Sequence, residues 1–197
     1  MEGYVALLHL LLYFLLLGAA FKTQRDWSIF FHTSLAASVI VSFYAVFQLA
    51  GKAVIHQGGT RVDATFGNAT YLAAYLLFHL FFLTWFFLRS KNLYARLGYG
   101  AIFLLEAVIL YHTATRGAML GMLAGFIVLA VLLLILERGF LRRFAMAALG
   151  LSILVPIIFI LIKDTSFIKK SDVLIRFASI SPQETTTQSR FTIWNMA

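Results

Sequence analysis

Three arginines lie in polar segments between long apolar runs, and they are the residues best suited to bind an anion. Arg116 lies in a short bend, Thr115-Arg116-Gly117, whereas Arg61 and Arg190 lie in longer polar segments. A guanidinium presents a planar set of donors that matches phosphate oxygens, and it stays charged at neutral pH. If all three side chains face one side of a membrane, they predict a site for a phosphate group.

Each arginine also has a simpler structural explanation, which the residue types alone favour. Arg116 could anchor the bend at the membrane surface. Arg61 is followed closely by Asp63, and the two could form an ion pair. Arg190 could be an ordinary solvated side chain. Its alternative role requires a helix that begins just after Ser189, with the arginine in the first turn beside free backbone N–H groups.

The composition indicates a membrane protein. The 197-residue chain is 61% hydrophobic and 12% charged, with a mean hydropathy of +0.89. An average soluble domain has about 25% charged residues, so a soluble core does not explain this composition. The chain has no cysteine, which excludes disulfides and thiolate chemistry. Its net charge of +8 is spread over loops, which indicates contact with membrane lipids and no nucleic-acid binding.

Six segments are long enough to cross a bilayer, which takes about 20 apolar residues. Their hydrophobicity does not alternate, so they predict helices and not barrel strands. We therefore predict an all-α, polytopic transmembrane bundle in residues 1–162. The predicted spans are Tyr4–Phe21, Ile29–Ala50, Ala69–Leu88, Leu97–Ala114, Ala118–Leu136 and Phe144–Ile162.

The lysines and arginines of the loops predict the orientation. One set of loops carries Lys22, Arg25, Arg89, Lys91, Arg96, Arg138, Arg142 and Arg143, and the opposite short loops carry Lys52, Arg61 and Arg116. The richer set is predicted to be cytoplasmic. Arg61, Arg116 and the tail that carries Arg190 then face outward. The tail carries further lysines and arginines, which reduce the difference in positive charge between the two sides.

Residues 163–197 are predicted to be the start of a large outer loop that the sequence cuts short. In Phe167–Ile180, an apolar face with Val173 and Phe177 lies opposite a polar face with Lys169 and Arg176. This pattern predicts an amphipathic helix on the outer leaflet. Ser181–Gln188 is polar and predicts a loop, after which a new apolar-periodic segment begins.

Two ionisable residues near or within the spans are further candidates. Glu106 lies inside a predicted span, where a neutral, hydrogen-bonded carboxyl is the favoured interpretation. His112 precedes Arg116 by about one helical turn, so the two could share a helix face. The acidic residues are scattered, and no nucleotide loop or cluster of metal ligands is present. We therefore predict no metal and no cofactor.

Three strings occur in order along the chain: RVDATFGNATYLAA from Arg61, TRGAMLGMLAG from Thr115 and SRFTIWNMA from Ser189. Together they resemble segments of the O-antigen ligase-like membrane proteins, the lipopolysaccharide O-antigen ligases and related polymerases. The resemblance implies a multi-pass glycosyltransferase of the bacterial inner membrane. It would transfer a glycan from a polyprenyl-diphosphate carrier to a glycolipid or glycan acceptor on the outer face.

The resemblance also implies roles for particular residues. Arg116 matches the arginine of the family's (S/T)RG bend, and Arg190 matches the arginine that opens its large outer loop, so both are candidate catalytic residues. We add Arg61, Asn68 and Trp194 as candidate substrate-binding residues. Asn68 is also a plausible helix N-cap, and Trp194 could line the path of the lipid or sugar.

The chain departs from the family in two respects. Family members carry an essential histidine further along the outer loop, and they have about twice as many spans. We therefore expect an internal fragment that is inactive by itself. The alternative function is a transporter or flippase for an anionic lipid-linked substrate, with Glu106 as a proton-coupled carboxylate. A purely structural membrane subunit is the third class.

Overall fold

The protein is largely helical in the part that the computed structural model describes, which is residues 2–57, 59–178 and 185–196. No strand occurs in these ranges, and six of the helices are long and apolar enough to cross a membrane. The predicted all-α bundle with six spans is thus confirmed. The helices are α1 (Glu2–Ala20), α2 (Gln24–Leu49), α3 (Ala69–Arg89), α4 (Leu93–His112), α5 (Arg116–Leu136), α6 (Phe140–Ile162), α7 (Ser166–Lys169), α8 (Asp172–Ala178) and α9 (Thr185–Met196), with a 3-10 turn at Ala64–Phe66.

Several helices extend beyond their predicted spans, because hydrophobicity marks the bilayer core while capping residues mark the helix end. α4 begins at Leu93, where the side-chain oxygen of Asn92 accepts a hydrogen bond from the backbone N–H of Tyr94 at 2.9 Å. The predicted span begins only at Leu97, because the first turn of α4 contains the charged Arg96. Such N-caps satisfy backbone donors that the helix itself leaves unpaired.

The chain forms two compact units, Met1–Ile40 and Val41–Ala197. In the first unit, a reciprocal capping box opens α2. The Thr23 N–H donates to the Asp26 carboxylate at 3.0 Å, and the Asp26 N–H donates to the Thr23 hydroxyl at 3.2 Å. Phe21 and Phe30 pack against Trp27 at the same helix end, with ring centroids 5.2 and 6.2 Å away. Aromatic clusters of this kind are typical of the membrane interface.

In the second unit, α3 is the central helix. It packs along α4, and α5 packs along α6. The leucines of α3 that recur every three or four residues are fully buried, which is the spacing of one helix face. The core consists of Ala45, Val62, Ala64, Leu72, Ala73, Leu76, Leu80, Ile109 and Leu110.

Glycines allow α5 to approach α3 closely. Gly121 lies against Leu77, which a Cβ at this position would meet at 3.4 Å, and a Cβ at Gly125 would overlap the Phe81 ring. Small residues at four-residue spacing are a common way for membrane helices to pack closely. The spacing Gly117, Gly121, Gly125 is visible in the sequence, but a prediction of spans from hydrophobicity does not use it.

The second unit has two ends. At the end formed by the links 90–92 and 137–139, a cavity of about 250 Å³ is lined by Trp85, Arg89 and Glu137 among other residues. The opposite end, which we call the loop end, consists of the 50–68 loop, the 113–115 bend and the α7–α8 segment. The candidate arginines Arg61 and Arg116 belong to the loop end.

The tail differs from its prediction in two places. The expected single amphipathic helix Phe167–Ile180 is divided into α7 and α8 around Lys170 and Ser171, and Ile180 lies outside the described residues. Ile168 and Val173 are buried, and α7 and α8 contact each other. The loop expected through Gln188 is wrong from Thr185 onward, where α9 already begins; residues 181–184 lie outside the described residues.

Candidate anion-binding site

A network of side chains fixes the loop that carries Arg61. The Gln48 side-chain amide at the end of α2 donates to the Asp63 carboxylate and to the Val54 carbonyl, both at 2.7 Å. Its carbonyl oxygen accepts from the Ala64 N–H at 2.8 Å. The Gln57 N–H donates to the second Asp63 oxygen at 2.7 Å. Gln48 and Asp63 are buried, so this network holds the loop rigidly.

Asp63 therefore has partners other than Arg61, and the expected Arg61–Asp63 ion pair is wrong. Burial raises the pKa of Asp63, but hydrogen bonds from Gln48 and from the Gln57 backbone outweigh it and lower the pKa overall. His56 lies 3.6 Å from the carboxylate and acts in the same direction. Arg61 and Asp63 are close in sequence, which suggests an ion pair between them. In the structure, however, the buried Asp63 carboxylate accepts its hydrogen bonds from Gln48 and Gln57.

Arg61 instead connects the loop to the α4–α5 bend. Its Nε donates to the Thr113 carbonyl at 2.9 Å, and its Nη2 donates to the Thr115 hydroxyl at 3.1 Å. The neighbouring Val62 N–H donates to the His112 carbonyl at 3.3 Å. These bonds place the Arg61 guanidinium directly beside the residue that precedes Arg116.

The bend itself is specialised. Ala114 has a φ of 49°, in the left-handed region that non-glycine residues rarely adopt. Thr115 occupies the N-cap position of α5 but makes no capping bond there. Its hydroxyl oxygen accepts from Arg61, and the hydroxyl donates to the carbonyl of Thr113 or Ala69 at 3.3–3.4 Å. Arg116 is the first residue of α5. Since α4 ends at His112 and the chain then reverses, the expected shared helix face of His112 and Arg116 is wrong.

Three partly buried cations gather at the loop end: Arg61, Arg116 and Arg176 of α8. Burial, followed by the positive charges of Arg176 and Arg116, lowers the pKa of Arg61. An arginine remains protonated at neutral pH even so, because its ordinary pKa lies far above neutral. Among the described residues, the charged groups that lower the pKa of Arg61 are two further cations, and their positive potential favours an anion at this end of the bundle.

Arg176 is a site residue that the sequence reasoning missed. The sequence pattern predicts that it lies on the solvated face of an amphipathic helix, but it is partly buried at the loop end. Its neighbour Phe177 packs against Tyr111 of α4 with ring centroids 6.4 Å apart. One available signal is its position three residues after Val173, which places the two on adjoining parts of the helix surface.

Two predicted site residues lie in α9. Arg190 is the sixth residue of this helix, so the expected position in the first turn is wrong. Its side chain lies outside the described residues, and its proximity to Arg116 therefore stays a prediction. Trp194 is 70% exposed.

Asn68 has a structural role at the start of α3. Its side-chain oxygen accepts from the Thr70 N–H at 2.8 Å, as the predicted N-cap requires.

Near this helix start, the ring centroids of Phe66 and Tyr75 lie 5.0 Å apart, and those of Tyr75 and His79 lie 4.2 Å apart. These rings form an aromatic row that leads from the loop end along α3.

Glu106 is fully buried in α4 and interacts electrostatically with Tyr75 of the neighbouring helix α3. Within the described ranges, no group of three or more histidine, aspartate or glutamate side chains has an arrangement that could hold a metal ion. The described part of the site offers guanidinium groups, which can bind an anion.

Comparison of the chain with protein-family models, with curated proteins and with solved structures finds no match.

Proposed function

We propose that this chain is part of a bacterial inner-membrane glycosyltransferase of the O-antigen ligase-like type. Its donor would be a glycan on a polyprenyl-diphosphate carrier, and its acceptor a glycolipid or glycan at the outer face. In this proposal, Arg61 and Arg116 bind the diphosphate of the donor. Arg190 would join them from α9.

One observation carries the proposal: a loop and a bend far apart in sequence bring Arg61 and Arg116 together. Arg61 is held by Thr113 and Thr115, and Arg116 follows directly in the chain. Like charges in a partly buried place repel one another. A diphosphate would reverse this repulsion, and the planar guanidinium groups suit its oxygens.

The start of α5 adds to the binding of an anion. The first backbone N–H groups of a helix lack partners within the helix, and its dipole is positive at this end. The Thr115 side chain does not cap them, and its hydroxyl oxygen accepts a hydrogen bond from Arg61 of the loop instead. Arg116 is thus placed where backbone donors and a guanidinium can contact the same phosphate.

The arginines would act on the donor side of the transfer. An acceptor hydroxyl oxygen forms a bond to the anomeric carbon, and its proton passes to a base. The bond from that carbon to the diphosphate breaks, and its electron pair stays on the diphosphate oxygen. Negative charge therefore grows on the leaving group, and fixed cations stabilise it more in the transition state than in the bound donor.

Farnesyl diphosphate binding tests the proposal. The purified protein in nanodiscs of zwitterionic lipid should bind farnesyl diphosphate more tightly than farnesol, and salt should weaken the binding. Arg116→Lys should weaken it by about tenfold, because an ammonium keeps the charge but loses the fork. The matched control is Arg138→Lys, at an exposed arginine of the opposite end. Equal affinity for farnesol and farnesyl diphosphate would overturn the proposal.

The buried Glu106 favours a second candidate function, a transporter or flippase for an anionic lipid-linked substrate. A carboxyl inside a span is costly unless it is neutral or paired, so proton-coupled roles are common for such residues. Glu106→Gln keeps the size and a hydrogen-bonding amide. In the intact protein, transfer should change little. A loss beyond about tenfold at normal expression would favour the proton-coupled alternative.

A further inference from the structure

The α7–α8 segment is attached to the loop end and is not a free surface helix. Ile168 and Val173 are 1% and 7% exposed, respectively, which fixes one helix face of the segment. Phe177 contacts Tyr111 in the last turn of α4. The ring contact places α8 beside the last turn of α4.

This attachment places Arg176 next to the arginine pair. Tyr111 is adjacent in the chain to His112, whose carbonyl accepts the hydrogen bond from Val62, the residue after Arg61. Phe177 and Arg176 are themselves neighbours. The chain of contacts from α8 to Arg61 is therefore short, and Arg176 and Arg61 interact electrostatically across it.

We propose that Arg176 is a third phosphate-binding residue, which α8 contributes so that the site selects a diphosphate over a monophosphate. This inference rests on the proposed function, because it concerns the same site. Arg61 and Arg116 belong to the transmembrane bundle and its loops, whereas Arg176 belongs to α8, which follows the sixth span. The second phosphate of the ligand would contact Arg176.

The charge of the ligand explains why a third cation matters. A phosphate monoester carries about 1.5 to 2 negative charges near pH 7. Two guanidinium groups can neutralise it. A diphosphate monoester adds about one more charge and a second set of acceptor oxygens, so it can use a third guanidinium that a monophosphate leaves unoccupied. Arg176 should therefore contribute far more to the binding of the diphosphate than to the binding of the monophosphate.

The test compares two probes, farnesyl diphosphate and farnesyl monophosphate, with the whole chain in zwitterionic nanodiscs. Arg176→Gln should weaken the diphosphate by about tenfold and the monophosphate by less than about threefold. The matched control is Lys170→Gln, which removes the same charge from an exposed position of the same segment. It should change both affinities by less than about twofold.

The selectivity ratio separates a binding role from a structural one. If Arg176 only holds α8 in place, Arg176→Gln should weaken both probes equally, and that result would overturn the inference. Equal losses in Arg176→Gln and Lys170→Gln would also overturn it, because they indicate general surface charge. Arg176→Lys provides the second variant: it should keep α8 attached, as hydrogen exchange of residues 172–178 can show, with a diphosphate affinity between those of wild type and Arg176→Gln.

The outcome for the proposed function can be read separately. Arg116→Gln should weaken both probes, because Arg116 contacts the phosphate that they share. If it does so while Arg176→Gln changes neither affinity, the proposed function stands and the role of Arg176 is rejected. If the wild-type chain binds neither phosphate probe better than farnesol, the site itself is rejected.

Discussion

Arg61 donates a hydrogen bond to the hydroxyl of Thr115, which lies 54 residues further along the chain, at 3.1 Å. The same hydroxyl lies 3.4 Å from the carbonyl oxygen of Ala69 at the start of α3. One threonine side chain thus joins the loop, the α4–α5 bend and a helix start. Together with the Thr113 carbonyl, this hydroxyl holds Arg61 beside Arg116.

Thr115→Val should impair anion binding more than stability. The variant keeps the shape of the side chain but removes the acceptor for Arg61, which costs about 1 kcal/mol for one hydrogen bond. Farnesyl diphosphate affinity should fall several-fold, and the melting temperature by only about 2–4 °C. Thr113→Val is the matched control, because the Thr113 hydroxyl bonds to the Leu110 carbonyl within α4. Similar affinity losses in both variants would argue against a specific role for Thr115.

Arg116 and Arg190 should behave as a unit if they bind one diphosphate. Arg→Lys at either position should reduce transfer in the intact protein, because the bidentate fork is lost. The double variant should be little worse than the worse single variant, since groups that act together are not additive. Transfer rates from a polyprenyl-diphosphate donor provide the measurement. Near-normal rates in both single variants would reject bidentate binding, and full additivity would reject a shared site.

The spans were predictable from the sequence because their signal is local. A helix needs about 20 consecutive apolar residues to cross a bilayer, and such a run can be recognised in the sequence without knowledge of any tertiary contact. The N-cap role of Asn68 was predictable for the same reason, since a cap acts on the next two or three residues. Helix ends were less predictable, because a helix can begin before its hydrophobic run, as α4 does with the charged Arg96 in its first turn.

The site was only partly predictable, because its contacts are not local. Strict alternation of spans places Arg61 and Arg116 at one end, and Arg61 indeed lies beside the bend. The sequence could not show that Arg61 hydrogen-bonds to Thr113 and Thr115, or that Gln48 donates a hydrogen bond to Asp63. The role of α8 depends on the contact between Phe177 and Tyr111, which no periodicity encodes.

Gly125→Ala should destabilise the protein, because the added Cβ would overlap the Phe81 ring between α5 and α3. Overpacking of this kind costs about 1–3 kcal/mol. Gly121→Ala should cost less, since its Cβ would meet Leu77 at 3.4 Å. Gly150→Ala is the control, because a Cβ added at this position in α6 would have no atom within 4 Å. Thermal unfolding in detergent should rank the three variants in this order, and an equal effect of all three would contradict the packing argument.

Asp63→Asn should destabilise the loop in a pH-dependent way. The carboxylate accepts hydrogen bonds from Gln48 and the Gln57 backbone, and leaving such buried groups poorly paired costs about 1–3 kcal/mol. Since folding lowers the pKa of Asp63, its contribution is present above the unfolded pKa of about 3.9 and is lost as pH falls through the folded pKa. The stability difference between wild type and Asp63→Asn should therefore be large at neutral pH and small in acid. A difference that does not change with pH would show that the charge has no part in it.

The loop end should face outward, away from the cytoplasm. The loops at the opposite end carry the larger share of lysine and arginine, which the cytoplasmic side retains in short loops. The chain has no cysteine, so Thr60→Cys and Lys91→Cys each introduce a single thiol at an exposed position, one at each end. In intact cells, a membrane-impermeant maleimide should label residue 60 directly, and residue 91 only after the membrane is permeabilised. Labelling of residue 91 from outside, with residue 60 protected, would reverse the orientation and place Arg61 and Arg116 in the cytoplasm, where an acceptor at the outer face cannot reach them.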